Sequence, residues 1–197
     1  MLDREGYVRI ADFGLCKENM DAFTHTSTFC GTKHAMAPEL LTDSSYTRAV
    51  DWWALGVLMF EMLVGDSLIK GDNEEEIYSC ILNDEIVYPS SISEESTIFM
   101  DLLLEREPEV RLGWGEEDAE EVKAEEFFNQ FNFEALLAKK IPAPFVPKLK
   151  NLEDVSYFDE KFTQAIPIFS PAKAQPTVGK IDQEEFAEFD YLTNWTS

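Results

Sequence analysis

The segment from Ala49 to Val64 is apolar on nearly every side and includes the adjacent pair Trp52-Trp53. A helix at a protein surface keeps one polar face, whereas a helix that is apolar all round lies inside a core. Gly65 follows directly and is typical of a helix end. The chain must therefore fold around this segment, which predicts a mainly α-helical domain.

Start signals predict several further helices around this central one. Asn73 precedes three glutamates, which favour the positive end of a helix dipole. Signals of the same kind predict helices from Ser93 to about Glu105, from a capping box formed by Asp118 and Glu121 into Phe127-Phe128, and from Glu134 to Lys140.

Two regions near the amino terminus lack a helical pattern. Residues 7–10 alternate as a strand does, and a strand this short needs a hairpin partner, which we expect before Leu2. Residues 15–36 carry Ser, Thr and Gly without a clear period. A structureless stretch of that length inside a domain is more often a functional loop than a passive connection.

The character of the chain changes beyond Ile141. Three prolines (Pro142, Pro144 and Pro147) prevent helix continuation, and aromatic residues then recur singly among charges. We therefore predict a helical domain over residues 1–140 and an extended tail over residues 141–197.

The charge balance constrains partners. The 197 residues contain 16 basic and 39 acidic side chains, a formal net charge of −23. A surface this negative repels nucleic acid and anionic lipid and favours basic partners, although simple solubility explains the same charge.

Cysteine usage and the amino terminus indicate the compartment. Cys16, Cys30 and Cys80 are widely spaced and odd in number, which is typical of a reducing environment. The charged start lacks the apolar stretch of a signal peptide, and the apolar run from Trp52 to Phe60 is too short to span a bilayer. We expect a cytoplasmic or nuclear protein. His34 has no second ligand at metal-binding spacing, so no metal site is predicted there.

Four short motifs occur in a fixed order. They are Asp12-Phe13-Gly14, then Thr28 to Thr32, then Ala37-Pro38-Glu39, then Asp51-Trp52-Trp53-Ala54-Leu55-Gly56. Each is weak alone, but their order and spacing are very hard to reach by chance. The chain resembles the C-terminal lobe of an AGC-group Ser/Thr protein kinase, and its tail is similar to that of the protein kinase N (protein kinase C-related) family.

The resemblance implies a role for each of these positions. Asp12 corresponds to the carboxylate that holds Mg²⁺ at the ATP phosphates, and Phe13 packs beneath it. Thr28 corresponds to the activation-loop phosphorylation site, with Lys17 as a basic partner of the phosphate. The remaining implied roles are orientation of the catalytic aspartate by Thr32, a buried ion pair between Glu39 and Arg111, and anchoring of the catalytic loop by Asp51.

The tail carries two further motifs of this family. Ser170, followed by Pro171, corresponds to the turn-motif phosphorylation site. Phe186, Phe189, Asp190 and Tyr191 correspond to the hydrophobic motif, where the fixed carboxylate of Asp190 replaces a phosphorylatable residue.

The resemblance implies ATP- and Mg²⁺-dependent phosphoryl transfer to protein Ser/Thr in the complete kinase. These 197 residues contain no Gly-rich loop, no strand lysine and no His-Arg-Asp loop, so we expect a C-terminal lobe without its N-terminal lobe, and neither tight nucleotide binding nor catalysis by the chain alone. The implied partners are protein substrates, an upstream activation-loop kinase and, through regions outside this chain, small GTPases.

The chain departs from the family pattern at one position that faces the substrate, and two alternative interpretations stay open. Lys33-His34-Ala35 stands where relatives have Pro-Glu and an aromatic residue, which removes a negative substrate-facing position. The chain also fits a non-catalytic or dominant-negative short form that docks through its hydrophobic motif. A third interpretation is an unproductive gene fragment, which predicts aggregation through exposed apolar surface.

Overall fold

A computed structural model describes residues 1–168, which fall into a compact unit from Met1 to Val146 and the start of a second unit that begins at Pro147. The described residues form no strand, only the single antiparallel bridges Leu2–Val8 and Thr26–Tyr46. The mainly α-helical fold is confirmed. The helices are α1 (Glu39–Thr42), α2 (Val50–Val64), α3 (Glu74–Asn83), α4 (Glu94–Leu103), α5 (Ala119–Lys123), α6 (Phe133–Leu137) and α7 (Glu160–Thr163), with 3-10 turns at Lys33–Ala35 and Glu126–Phe128.

Helix α2 lies at the centre of the first unit, as its composition predicts. Its Trp53 is 1% exposed and belongs to one core cluster with Phe99, Met100 and Leu103 of α4. A Cβ at Gly56 would lie 2.8 Å from Leu104 Cγ, so glycine is what permits this close approach. At the end of α2, Gly65 adopts φ +76 and accepts the left-handed conformation that stops the helix.

The predicted starts of α3, α4 and α5 are confirmed, but the capping box predicted at Asp118 does not form. The Asn73 side chain accepts a hydrogen bond from the Glu76 N–H, and the Ser93 side chain accepts one from the Ser96 N–H. By contrast, Asp118 makes no capping bond and accepts the indole N–H of Trp52 at 3.0 Å. This long-range bond, which local sequence does not reveal, takes the carboxylate that the capping box needs.

Helices α5 and α6 are also shorter than predicted, and α6 runs from Phe133 to Leu137. Helix α5 ends at Lys123, and Phe127 and Phe128 lie in a separate 3-10 turn. Helix α6 is capped by Asn132, whose side chain accepts the N–H of Ala135.

The predicted amino-terminal strand is wrong, because residues 1–9 fold into a tight turn instead. Leu2 bridges Val8, and Arg9 N–H donates to the Met1 carbonyl at 2.8 Å. The partner expected before Leu2 is thus Leu2 itself. The Tyr7 hydroxyl holds the turn against the end of the unit, since it lies 3.0 Å from the Lys139 carbonyl and 2.9 Å from the Ile141 carbonyl.

The second unit is described over residues 147–168. Its Asp154 carboxylate accepts the backbone N–H groups of Lys150 and Ser156, which lowers the pKa of Asp154 to about 2. No helix within residues 1–168 is long and apolar enough to cross a membrane. The division after residue 140 stays a prediction. Ser170, Phe186, Phe189, Asp190 and Tyr191 lie outside the described residues.

Candidate active site

The segment from Asp12 to Glu39 ends at a buried ion pair. Arg111 Nη1 lies 2.6 Å from Glu39 Oε1, and Arg111 Nη2 lies 2.9 Å from Glu39 Oε2, so the guanidinium and carboxylate meet fork to fork. The side chains are 0% and 3% exposed. The structure therefore brings together the two residues that the resemblance pairs.

The remaining donors of Arg111 are also satisfied. Its Nε donates to the Glu105 carbonyl at 2.8 Å, and Nη1 donates to the Ala49 carbonyl at 3.0 Å. The guanidinium lies 5.4 Å from the centre of the Trp53 ring. Since a buried charge is tolerated only when it is paired and hydrogen-bonded, Arg111 fixes α1, the start of α2 and the loop after α4 to one another.

The other end of the segment is exposed. Asp12 has φ +65, a left-handed conformation that is uncommon outside glycine and that clusters at functional positions. Its Oδ1 accepts the Gly14 N–H at a long 3.4 Å, and the neighbouring Phe13 is 65% exposed. The Asp12 carboxylate thus keeps oxygen acceptors available to a ligand.

One carboxylate fits the way that proteins hold Mg²⁺ beside a nucleotide, because one or two carboxylates suffice when phosphates and water supply the other ligands. No group of three or more His, Cys, Asp or Glu side chains within residues 1–168 forms a self-sufficient metal cage. The donor set therefore fits a cation that arrives with its phosphates.

Thr28 and Lys17 are not brought into contact. The Lys17 ammonium donates to Thr26 Oγ1 at 2.8 Å, two residues before Thr28. Thr28 is exposed, and its carbonyl accepts the Tyr46 hydroxyl at 2.5 Å. Among the described residues, the Thr28 hydroxyl has no hydrogen-bond partner, and its phosphorylation stays a prediction.

Thr32 and Lys33 begin the short 3-10 turn that precedes Ala37. The exposed Thr32 side chain makes no capping bond there. Lys33 Nζ lies 2.5 Å from Glu74 Oε1 at the start of α3, and this contact raises the pKa of Lys33 and lowers the pKa of Glu74. The turn is therefore tied to α3 by an exposed ion pair that local sequence does not predict.

Asp51 stands in the first turn of α2 beside a cavity of about 370 Å³. Partial burial of its carboxylate raises the pKa of Asp51 above the ordinary value, and the negative charge of Asp118 raises it further. Within residues 1–168 no donor pairs with this side chain. The cavity is lined from the segment by Lys17, Thr32 and Met36, and from α2 by Val50, Asp51 and Ala54.

The sequence does not predict Tyr46 as a functional residue, but its backbone and hydroxyl both hydrogen-bond to the segment. Its backbone pairs with Thr26 in both directions at 2.9 Å, and its hydroxyl contacts Thr28. Burial raises the pKa of Tyr46, and a contact with Cys30 raises it further. No local signal marks this residue, because the contacts join positions twenty residues apart and depend on the folded path of the loop.

Two stretches of the chain match families of known proteins. Residues 1–128 match the protein kinase domain family, and residues 149–191 match the protein kinase C terminal domain family. The first match covers well over half of the chain. The chain belongs to the protein kinase family.

Individual relatives agree with the motifs of the sequence. The chain is 55% identical over 195 residues to serine/threonine-protein kinase N2 of Danio rerio and 46% identical over 193 residues to serine/threonine-protein kinase N3 of Mus musculus. It is 45% identical over 195 residues to protein kinase C of Aspergillus fumigatus. The predicted relationship to protein kinase N is confirmed.

These matches cover 98–99% of this chain but only 18–22% of each relative. The chain therefore spans about a fifth of the length of the curated relatives it matches. The roles of Asp12, Lys17, Thr28, Thr32, Glu39, Arg111 and Asp51 in phosphoryl transfer stay predictions.

Proposed function

We propose that this chain supplies the activation segment and helical lobe of a Ser/Thr protein kinase that transfers a phosphoryl group from ATP to protein Ser or Thr. The complete kinase requires Mg²⁺, acts on protein substrates and is activated by a second kinase at Thr28. The 197 residues assayed by themselves transfer no phosphate, since they contain no Gly-rich loop, strand lysine or His-Arg-Asp loop.

The observation that carries this proposal is the difference between the two ends of the segment. Glu39 is fixed in the core by Arg111, while Asp12 is exposed with available carboxylate oxygens. A phosphotransferase needs this combination, because its reactive groups must reach a ligand while a rigid support positions them.

Asp12 of the segment and Asp51 of α2 then have distinct physical tasks. The Asp12 carboxylate places negative oxygens where a cation and its phosphates are to be held. Bound Mg²⁺ supplies neutralisation of phosphate charge. The Asp51 carboxylate lines the cavity and is available to accept hydrogen bonds from backbone N–H groups of the complete kinase. Such bonds would stabilise the charged carboxylate against the repulsion from Asp118.

A chimera tests the proposal. In the zebrafish kinase N2, these 197 residues replace the matching 195 residues, and phosphate transfer to a protein substrate is measured with labelled ATP. We expect activity in the chimera and a loss of at least about 100-fold in its Asp12→Asn variant, because phosphoryl transfer depends on positioning and charge neutralisation.

Asp66→Asn is the matched control. Asp66 is an exposed aspartate that, within residues 1–168, pairs only with Lys70 and with the Ser67 N–H, and it lines neither cavity beside the segment. We expect its chimera to keep full activity. An Asp12→Asn chimera as active as the Asp66→Asn chimera, with folding of both verified by circular dichroism, would refute the proposed role of Asp12.

The hydrophobic motif favours a second candidate function, a non-catalytic short form that binds a partner kinase. Phe186, Phe189 and the permanent charge of Asp190 together match a docking sequence of this family. A peptide of residues 182–193 should bind an activation-loop kinase, and Phe186→Ala with Phe189→Ala should abolish binding. Absence of binding by the unaltered peptide rejects this function and leaves the chimera test unaffected.

A further inference from the structure

We propose that a small cavity beneath the segment binds a methylated ammonium group. The cavity has a volume of about 70 Å³ and is lined by Phe23, Tyr46, Trp114, Asp43 and Glu109, among others. Nucleotides and drug-sized ligands need roughly 300 Å³ or more, so this space suits only a small head group. The proposal is independent of phosphoryl transfer.

Two aromatic rings form a corner at the cavity. Phe23 and Trp114 lie 5.5 Å apart between ring centres, with their planes at 72°. Phe23 is 54% exposed, whereas Ala22 beside it is buried. An exposed aromatic side chain held against a second ring offers a ready-made surface for a ligand.

A third ring is held in place at the same cavity. The Tyr46 hydroxyl donates to the Thr28 carbonyl, which fixes the orientation of its ring. Rings of this kind attract a cation through the negative charge of their faces. A methylated ammonium is favoured over a bare one, because its weak hydration makes it less costly to remove from water.

Carboxylates add the charge that an ammonium requires. Asp43 and Glu109 both line the cavity, and neither forms an ion pair within residues 1–168. The cavity also touches Glu39, but both oxygens of that carboxylate bind Arg111 and their charge is already matched. The local excess of negative charge, on a chain of net charge −23, complements a cationic ligand.

The test is titration of the whole chain with tetramethylammonium chloride at constant ionic strength, followed by two-dimensional NMR. We expect saturable shifts confined to residues around Phe23, Tyr46 and Trp114. Phe23→Ala should weaken binding about 2- to 5-fold, the worth of one exposed cation–π contact. Glu109→Gln should weaken it about 2- to 5-fold as well, through loss of one charge at the rim.

Phe29→Ala is the matched control, since Phe29 is 59% exposed, belongs to the same loop and does not line the cavity. This variant should bind as the unaltered chain does. Equal weakening by Phe29→Ala and Phe23→Ala, or no saturable binding at all, overturns the proposal. Both substitutions are at exposed side chains, so both proteins should fold.

Two peptides identify the source of the group. A short peptide with trimethyllysine should bind more tightly than the same peptide with unmodified lysine. If tetramethylammonium binds and neither peptide does, the natural ligand is a free small molecule. If the trimethyllysine peptide also binds, the natural ligand is a modified partner protein. Equal binding of the two peptides indicates charge attraction alone and contradicts the proposal.

Discussion

The two ends of the segment between Asp12 and Glu39 are held in opposite ways. At Glu39 the guanidinium of Arg111 is 0% exposed, and both hydrogen bonds that join the pair are buried. At Asp12 the backbone is in a left-handed conformation, the side chain is exposed, and its carboxylate accepts only a long bond from the neighbouring Gly14 N–H among the described residues. The same segment is therefore part of the core at one end and surface at the other.

The exposed ion pair of Lys33 with Glu74 attaches the segment less firmly than Arg111 does. It also joins the segment to a helix, but its side chains are 45% and 63% exposed. Water and salt screen such a pair, whereas the pair of Arg111 with Glu39 is shielded. Burial, rather than the presence of an ion pair, is thus what fixes one end of the segment.

The largest effect is expected at the buried pair. Arg111→Ala should lower the free energy of unfolding by about 3–5 kcal/mol, because it leaves the Glu39 carboxylate buried without a partner. Urea unfolding monitored by circular dichroism measures this loss. Lys33→Ala is the control and should cost at most about 1 kcal/mol.

A double variant sharpens the result. Arg111→Met combined with Glu39→Gln removes both charges and should be more stable than Arg111→Ala, since no uncompensated charge remains. Similar losses for Arg111→Ala and Lys33→Ala would show that burial does not distinguish the two attachments.

A smaller effect is expected where the turn of residues 1–9 is held. Tyr7→Phe removes the one hydroxyl proton that the carbonyls of Lys139 and Ile141 share, and should lower the local stability of this turn by about 0.5–1.5 kcal/mol. The Lys139 ammonium, 5.0 Å from the Tyr7 ring centre, should keep its contact with phenylalanine. Faster amide exchange of residues 1–9 in this variant, with that of α2 unchanged, is the expected pattern; faster exchange of α2 would contradict it.

The smallest effect is expected at Asp51 and depends on pH. Its pKa is raised in the folded state, so folding favours the protonated acid and the charged form costs stability. This cost is absent below the unfolded pKa, near 3.8, and grows as pH rises through the folded value. Asp51→Asn should therefore stabilise the chain at pH 7 by less than about 1 kcal/mol after solvent screening.

Unfolding at pH 3 and pH 7 measures this difference. The advantage of Asp51→Asn over the unaltered chain should shrink toward pH 3. A destabilised Asp51→Asn variant at pH 7 would mean that the carboxylate already has a partner in the folded chain.

The sequence predicts the helices of this molecule better than their connections. The apolar run of α2 and the caps at Asn73 and Ser93 are local signals, and the structure contains each of them. Asp118 is a cap by local pattern, yet Trp52 takes its carboxylate across 66 positions. The strand predicted over residues 7–10 does not form, because Val8 makes only a single bridge to Leu2 and no second strand pairs with it among the described residues.

The candidate site shows the same division. Motif order identifies the family and the residues at both ends of the segment. It does not reveal that Lys17 contacts Thr26 or that Tyr46 supports Thr28, because both contacts depend on how the loop of residues 15–32 is folded.

Hydrogen exchange of backbone amides tests most directly the claim that the segment is anchored at one end. In the unaltered chain, the amides of Leu40, Leu41 and the middle of α2 should be protected to a similar degree, because Arg111 ties them to one core. The amides from Ile10 to Lys17 should exchange orders of magnitude faster. Protection at Ile10–Lys17 equal to that at Leu40 would contradict the account.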